Sequence, residues 1–354
     1  MKLYPNVNII ISIWVLSVLS VFYFSFSTLP HSSLFQNNFI KSLANWDGGH
    51  YLSIAEKGYL LKSQYVFFPL YPILINLFVK ITGDYLVSAL IISFISFFLA
   101  ANIFYQLVYI DFGKSVAKKA LVALLVFPLS FHFLTVYTES LFFLLSVLTF
   151  LFARKNNYFL AAIFAFLSSA TRLSGLAVVL SLMASVYFSQ KVNYKNWYVY
   201  LSPIGFLLYC LYLYHQTGDF FYFIKAESYF WNSGLVFPGG AIIHSFKQLF
   251  TPGFITNNFR DLLDLLFLIF AGFSVWKVCK KLSLDYAIFT LISILLPLFS
   301  PTIVAVPRYI LLIFPVFIVV SLVKNEYLSL GYQIISLMLF SIYASLFING
   351  YWVS

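Results

Sequence analysis

Eleven uncharged or nearly uncharged apolar runs recur along the chain, at 9–29, 85–110, 120–138, 139–153, 156–171, 173–190, 196–214, 262–276, 286–306, 309–323 and 327–349. The longest match the ~20 residues a helix needs to cross a bilayer, and runs of 15 to 18 serve inside a bundle where neighbours shorten the requirement. With 62% hydrophobic residues and only 9% charged, against about a quarter charged in a soluble domain, a soluble fold is excluded. The expected fold is all-α: one polytopic membrane domain over residues 1–354, with about eleven transmembrane helices. The first run is uncharged for 21 residues, so it reads as a span and not as a cleavable signal. Cys210 and Cys279 fall in or beside apolar runs, which excludes a disulfide framework.

A twelfth run, 66–79, is not counted as a span. It reaches only about 21 Å as a helix, and Pro69 and Pro72 interrupt its first turn. The charges test that choice, because cytoplasmic loops collect Lys and Arg. With eleven spans and the N-terminus inside, twelve bases (Lys2, Lys114, Lys118, Lys119, Arg154, Lys155, Lys191, Lys195, Lys277, Lys280, Lys281, Lys324) and three acids (Asp111, Asp285, Glu326) fall on the inner face. The outer face holds nine bases and eight acids. The net charge of +10 therefore records orientation, and no nucleic-acid partner is expected: the bases stand singly between apolar runs and form no solvated patch. Two outer segments are long, 30–84 and 215–261, and the first is expected to carry amphipathic juxtamembrane helices.

Ionisable groups in or against a membrane are costly, so each is a candidate for function. In the first outer loop, Asn45-Trp46-Asp47-Gly48-Gly49-His50-Tyr51 through Glu56-Lys57-Gly58-Tyr59 reads as a short helix with Asp47 at its N-cap and Gly58 at its C-cap. The same residues also fit a bare cap with an interfacial aromatic belt, and residue types alone leave both open. Glu139, in Tyr137-Thr138-Glu139-Ser140, is placed at an outer hairpin, as is Arg172 in Ala170-Thr171-Arg172-Leu173-Ser174-Gly175. Arg308, in Val306-Pro307-Arg308-Tyr309, is another lone outer arginine. A solvated acid in a first helical turn and arginines snorkelling to headgroups are the bland alternatives. Taken together, two acids and two guanidiniums on one membrane face suit group transfer from a lipid phosphate to a hydroxyl: a base takes the proton while cations hold the phosphate. No Gly-rich phosphate loop or Walker lysine is present, which argues against a nucleotide as direct donor.

The stretch from Asn45-Trp46-Asp47 to Gly58-Tyr59, followed by Phe67-Phe68-Pro69-Leu70-Tyr71-Pro72, resembles the PIG-V family of membrane mannosyltransferases, whose eukaryotic members add the second mannose in GPI-anchor synthesis. Tyr137-Thr138-Glu139-Ser140-Leu141-Phe142, Ala170 to Gly175, Gly218-Asp219 and Pro307-Arg308-Tyr309 are similar to its later motifs, in the same order. The resemblance implies a GT-C class enzyme with a polyprenyl-phosphate sugar donor and an acid in the first extracytoplasmic loop. It makes Asp47 the catalytic base of an inverting transfer, with Glu139 as a supporting or acceptor-binding acid. Arg172 and Arg308 are then candidates for the lipid phosphate, and Trp46, His50 and Tyr51 for the sugar. Some relatives carry a second acid two residues after the Asp, where this chain has Gly49, so no metal or cofactor is expected. Membrane lipids and a glycolipid, glycan or protein acceptor are the expected partners. The site would face the extracytoplasmic side of the plasma membrane in a prokaryote, or of the endoplasmic reticulum membrane in a eukaryote. A lipid-linked-sugar flippase or transporter and a non-catalytic membrane scaffold are the competing classes.

Overall fold

The structure is a computed structural model that describes residues 4–32, 38–188, 196–231, 234–237, 239–248, 259–301, 303 and 306–353, the side chains of residues 244 and 259–261 excepted. Lys2, Lys191, Lys195, the side chains of Arg260 and Asp261, and residues 249–258 of the second long loop lie outside the described residues. All regular structure among the described residues is helical.

Among the described residues five helices are long and apolar enough to cross a membrane: Pro5–Thr28, Tyr85–Phe112, Trp197–Thr217, Leu262–Lys281 and Glu326–Ile348. The first shows why. Val7, Ile11, Trp14, Val18 and Phe22 recur at helical spacing and are buried, yet its opposite face exposes Ile9, Ile13, Leu16 and Phe24. A helix apolar all round has one face against protein and the other against lipid. Its 24 residues span about 36 Å at 1.5 Å per residue.

The centre of the bundle is Glu139–Arg154, packed between Tyr85–Phe112 and Tyr158–Ser169; Gly175–Phe188 packs on the latter and on Leu284–Leu298. These inner helices are shorter, as buried helices can be. Some of the expected runs are not single helices. The run 120–138 is helical only to Leu125, then passes through a turn at Pro128 and the 3-10 turn Ser130–Leu134 before Glu139 opens the next helix. Irregular backbone at membrane depth is tolerated only where protein covers it, and residues 127–143 are all buried. The run 309–323 breaks at Ile313 into Val306–Leu312 and Phe314–Ser321, because Pro315 has no N–H to continue the ladder.

The uncounted run 66–79 forms Leu70–Thr82, 13 residues or about 20 Å, capped by Gly83 in the left-handed region (φ 75°). It packs on Asp47–Lys57 and on Tyr85–Phe112. From the second long loop, Tyr222–Trp231 packs on the 3-10 turn Lys62–Val66, so the two long loops meet on one side of the bundle.

Candidate active site

Three hydrogen bonds to backbone carbonyls bring the separated motifs together. Val136 N–H donates to Leu43 C=O at 3.0 Å, and the Tyr137 hydroxyl donates to Asn45 C=O at 3.0 Å. These lay the stretch before Glu139 along the stretch before Asp47. Leu70 N–H donates to Ala170 C=O at 3.2 Å, which ties the Pro69-Leu70 corner to the turn carrying Arg172. Gly48 eases the first of them: a Cβ there would stand 3.1 Å from Val136 O and 3.2 Å from Ala44 Cβ, a tight approach.

Asp47 is the first residue of Asp47–Lys57, with Trp46 and not Asp47 at the cap. Trp46 has φ 60°, a conformation a bulky residue adopts at a cost of roughly 1–3 kcal/mol and one that clusters at functional sites. The turn it makes delivers Asp47 to the site. Glu139 likewise opens its helix, so both acids occupy first turns, where the helix dipole favours negative charge.

One guanidinium joins the two acids. Arg308 Nη2 lies 2.7 Å from Asp47 Oδ2, and Arg308 Nε donates to Glu139 Oε1 at 2.6 Å. Arg172 Nη1 donates to the same Oε1 at 2.7 Å and to Thr138 Oγ1 at 3.1 Å. The Tyr137 ring supports Arg308 from below at 4.7 Å, and Tyr309 lies 5.9 Å from Arg172; such contacts stabilise a desolvated cation. Two acids and two arginines leave the cluster neutral. Glu139 is 0% exposed, whereas the Asp47 side chain is 22% exposed. Asp47 is thus the carboxylate that a substrate can reach.

On the helix that begins at Asp47, His50 and Tyr51 follow at i+3 and i+4 and share its face. His50 stacks on Phe67 at 5.0 Å, and Trp231 meets both rings edge-on at 5.3 and 5.8 Å. Burial pushes the His50 imidazole below its ordinary pKa, with Asp47 acting in the opposite sense. Tyr51 is buried against Phe67 and Tyr71, so its ring is a wall of the site; burial pushes its phenol above its usual range.

Among the expected residues, then, Asp47, Glu139, Arg172 and Arg308 converge, with Trp46, His50 and Tyr51 on the adjoining turns. Gly218-Asp219 plays a different part: Gly218 caps Ile204–Thr217, and Asp219 accepts from Phe221 N–H at 2.8 Å and pairs with Lys225 at 2.6 Å. Tyr137, Thr138, Tyr309 and Trp231 were not singled out from the sequence. The first three stand next to Glu139 and Arg308, so adjacency to those lone charges was the available signal; Trp231 carried none beyond its place in the second long loop. Among the described residues no three His, Cys, Asp or Glu side chains gather as a metal site.

An apolar cavity of about 630 Å³ is walled by Ile54, Tyr59, Leu70, Leu167, Ala170 and Leu208 among others, and none of the four charged residues lines it. Ala170 and Leu70 are joined by the third of these hydrogen bonds, so the cavity borders the Arg172 turn.

The site is thus two acids held by two arginines at one end of a many-helix membrane bundle. The family described as Mannosyltransferase (PIG-V) matches residues 15–223, more than half of the chain, and the chain belongs to that family. Two solved structures of ArnT from Cupriavidus metallidurans share the fold. One, bound to undecaprenyl phosphate, is 15% identical with a TM-score of 0.51; the other, in the apo state, is 14% identical with a TM-score of 0.51. Each comparison covers 92% of this chain and 62% of the ArnT chain, so this chain spans less than two thirds of their length. Comparison with curated protein sequences returns no match.

Proposed function

We propose that this chain transfers a sugar, mannose in the first instance, from a polyprenyl-phosphate donor to a hydroxyl of a glycolipid, glycan or protein acceptor, with inversion and with Asp47 as base. The observation that carries the reading is the shared guanidinium of Arg308 between a reachable acid and a buried one. The acceptor O–H gives its proton to Asp47 as its oxygen attacks the anomeric carbon. The bond from that carbon to the phosphate oxygen breaks, and the electron pair leaves with the polyprenyl phosphate.

Charge bookkeeping favours this assignment. The donor phosphodiester carries one negative charge and the departing phosphate monoester up to two, while Asp47 goes from charged to neutral. The site total stays constant through the transfer. Arg308, released from an Asp47 that has just been protonated, is free to hold the phosphate that has just gained charge. A guanidinium has five N–H donors, and Arg308 and Arg172 each commit two donor contacts to protein. Donors therefore remain for a phosphate without breaking the cluster. The 630 Å³ apolar cavity at the Arg172 turn suits the proximal part of an isoprenoid chain, and the ring group of His50, Phe67 and Trp231 offers faces for a pyranose.

On this reading the site lies on the extracytoplasmic side, the lysine-rich ends of the helices lie in the cytoplasm, and no metal or cofactor takes part. The test is transfer from radiolabelled polyprenyl-phosphate mannose by membranes containing the chain, with extracted lipids as acceptors. A labelled product of inverted anomeric configuration is expected. Transbilayer movement of the intact donor, with neither hydrolysis nor a glycosylated product, would replace the reading with the flippase class.

A further inference from the structure

At the end of the bundle opposite the acids and arginines lies a second cavity of about 390 Å³, lined in part by basic and polar side chains. Its place follows from the helices: Glu139–Arg154 starts at the site and ends at Arg154, about 23 Å away. Arg154 pairs with Asp111, next to the start of Lys114–Leu125. That helix supplies Ser115, Lys118 and Lys119 to the cavity, and the start of Glu326–Ile348 supplies Ser329 and Gln333.

The composition of this cavity is one-sided. Lys118 and Lys119 are exposed, and no ion pair or hydrogen bond engages either of them among the described residues. Asp111, the acid nearest to them in sequence, is taken up by Arg154 and by the Tyr286 hydroxyl, and Glu326, the exposed first residue of the other helix, does not line the cavity. Polarity also changes with depth: one turn beyond the lysines the same helix presents Val122 and Ala123, and Val320 faces them. Charge at the mouth and apolar wall below match an amphiphile better than a free ion. The volume lies in the range of small-molecule sites and is suited to a headgroup, not to whole acyl chains.

We infer that this cavity binds the phosphodiester headgroup of an anionic membrane phospholipid, with the phosphate held by Lys118 and Lys119 and the headgroup hydroxyls by Ser329 and Gln333. Basic pockets between membrane helices on the lysine-rich side take such headgroups. The bound lipid would brace Lys114–Leu125 against Glu326–Ile348, which otherwise meet there through Tyr332, whose hydroxyl donates to Ala123 C=O at 2.9 Å.

The experiment is native mass spectrometry of the full chain from micelles doped with phosphatidylglycerol or with phosphatidylcholine at equal mole fraction, alongside inorganic phosphate alone. The expected result is retention of phosphatidylglycerol over phosphatidylcholine. Retention should fall by about tenfold or more in Lys118→Gln/Lys119→Gln and persist in Lys118→Arg/Lys119→Arg. Lys280→Gln/Lys281→Gln removes as much charge from the same face outside the cavity and should retain the lipid within about twofold of wild type. Equal retention of the two lipids, or equal loss in the two Gln variants, would overturn the site. Displacement of the lipid by millimolar inorganic phosphate would overturn the lipid as its ligand.

Discussion

Glu139→Gln isolates the buried charge at the centre of the site. The change keeps the shape of the side chain and removes the negative charge that one oxygen shares between Arg172 at 2.7 Å and Arg308 at 2.6 Å. Arg308 retains Asp47 at 2.7 Å, but Arg172, only 14% exposed, is left, among the described residues, with the neutral Thr138 hydroxyl and the Tyr309 ring. Stranding a buried charge in this way costs about 3–5 kcal/mol. With an unfolding entropy of roughly 2.1 cal/mol/K per residue, 354 residues give about 0.7 kcal/mol/K, so Tm should fall by about 4–7 °C. The assay is thermal unfolding of the purified full chain in detergent, wild type beside Glu139→Gln, Arg172→Met and the double variant. Because the double variant removes the stranded cation together with its partner, it should recover most of the loss. A Glu139→Gln variant with unchanged Tm, or a double variant whose loss is the sum of the two single losses, would refute the reasoning.

Other consequences follow from the same physics. On the opposite face, Arg154 binds Asp111 at 3.0 Å and Asp285 at 2.6 Å and donates to Ser283 Oγ at 2.9 Å; Arg154→Met should leave two neighbouring carboxylates unpaired and lower Tm by several degrees, read by the same unfolding assay, and Asp111→Asn added to it should restore part of the loss. Burial lowers the His50 pKa below its ordinary value of about 6.5. The unfolded chain therefore binds the proton more readily, and the stability this residue contributes is present above pH 6.5 and lost as pH falls from there through the folded pKa. His50→Asn should flatten the acid side of a Tm-against-pH curve in that window, and an unchanged slope would remove His50 from the account.

The membrane class was legible because apolar runs and scarce charge leave no other solution, and the four central site residues stood out because a lone charge among apolar spans is expensive. What could not be read was their pairing. Arg308 and Glu139 are 169 positions apart, and nothing local in either motif specifies that one guanidinium bridges two acids. The Asp111–Arg154–Asp285 cluster was hidden for the same reason: its members are 43 and 131 positions apart and read separately as loop charges. The break of 120–138 was missed because an apolar run has the same composition whether its backbone is helical or buried and irregular. Asp47 was placed at the cap from its residue type, whereas the strained Trp46 occupies that position and Asp47 is turned inward to Arg308.

The central claim is that Asp47 takes the acceptor proton while Arg308 and Arg172 hold the phosphate. Single-turnover transfer from polyprenyl-phosphate mannose by Asp47→Asn, with donor binding measured on the same preparation, tests it most directly. Removal of a general base of this kind should lower the rate by about 10²–10⁴-fold, with donor affinity within about tenfold of wild type. Transfer at the wild-type rate by Asp47→Asn would contradict it.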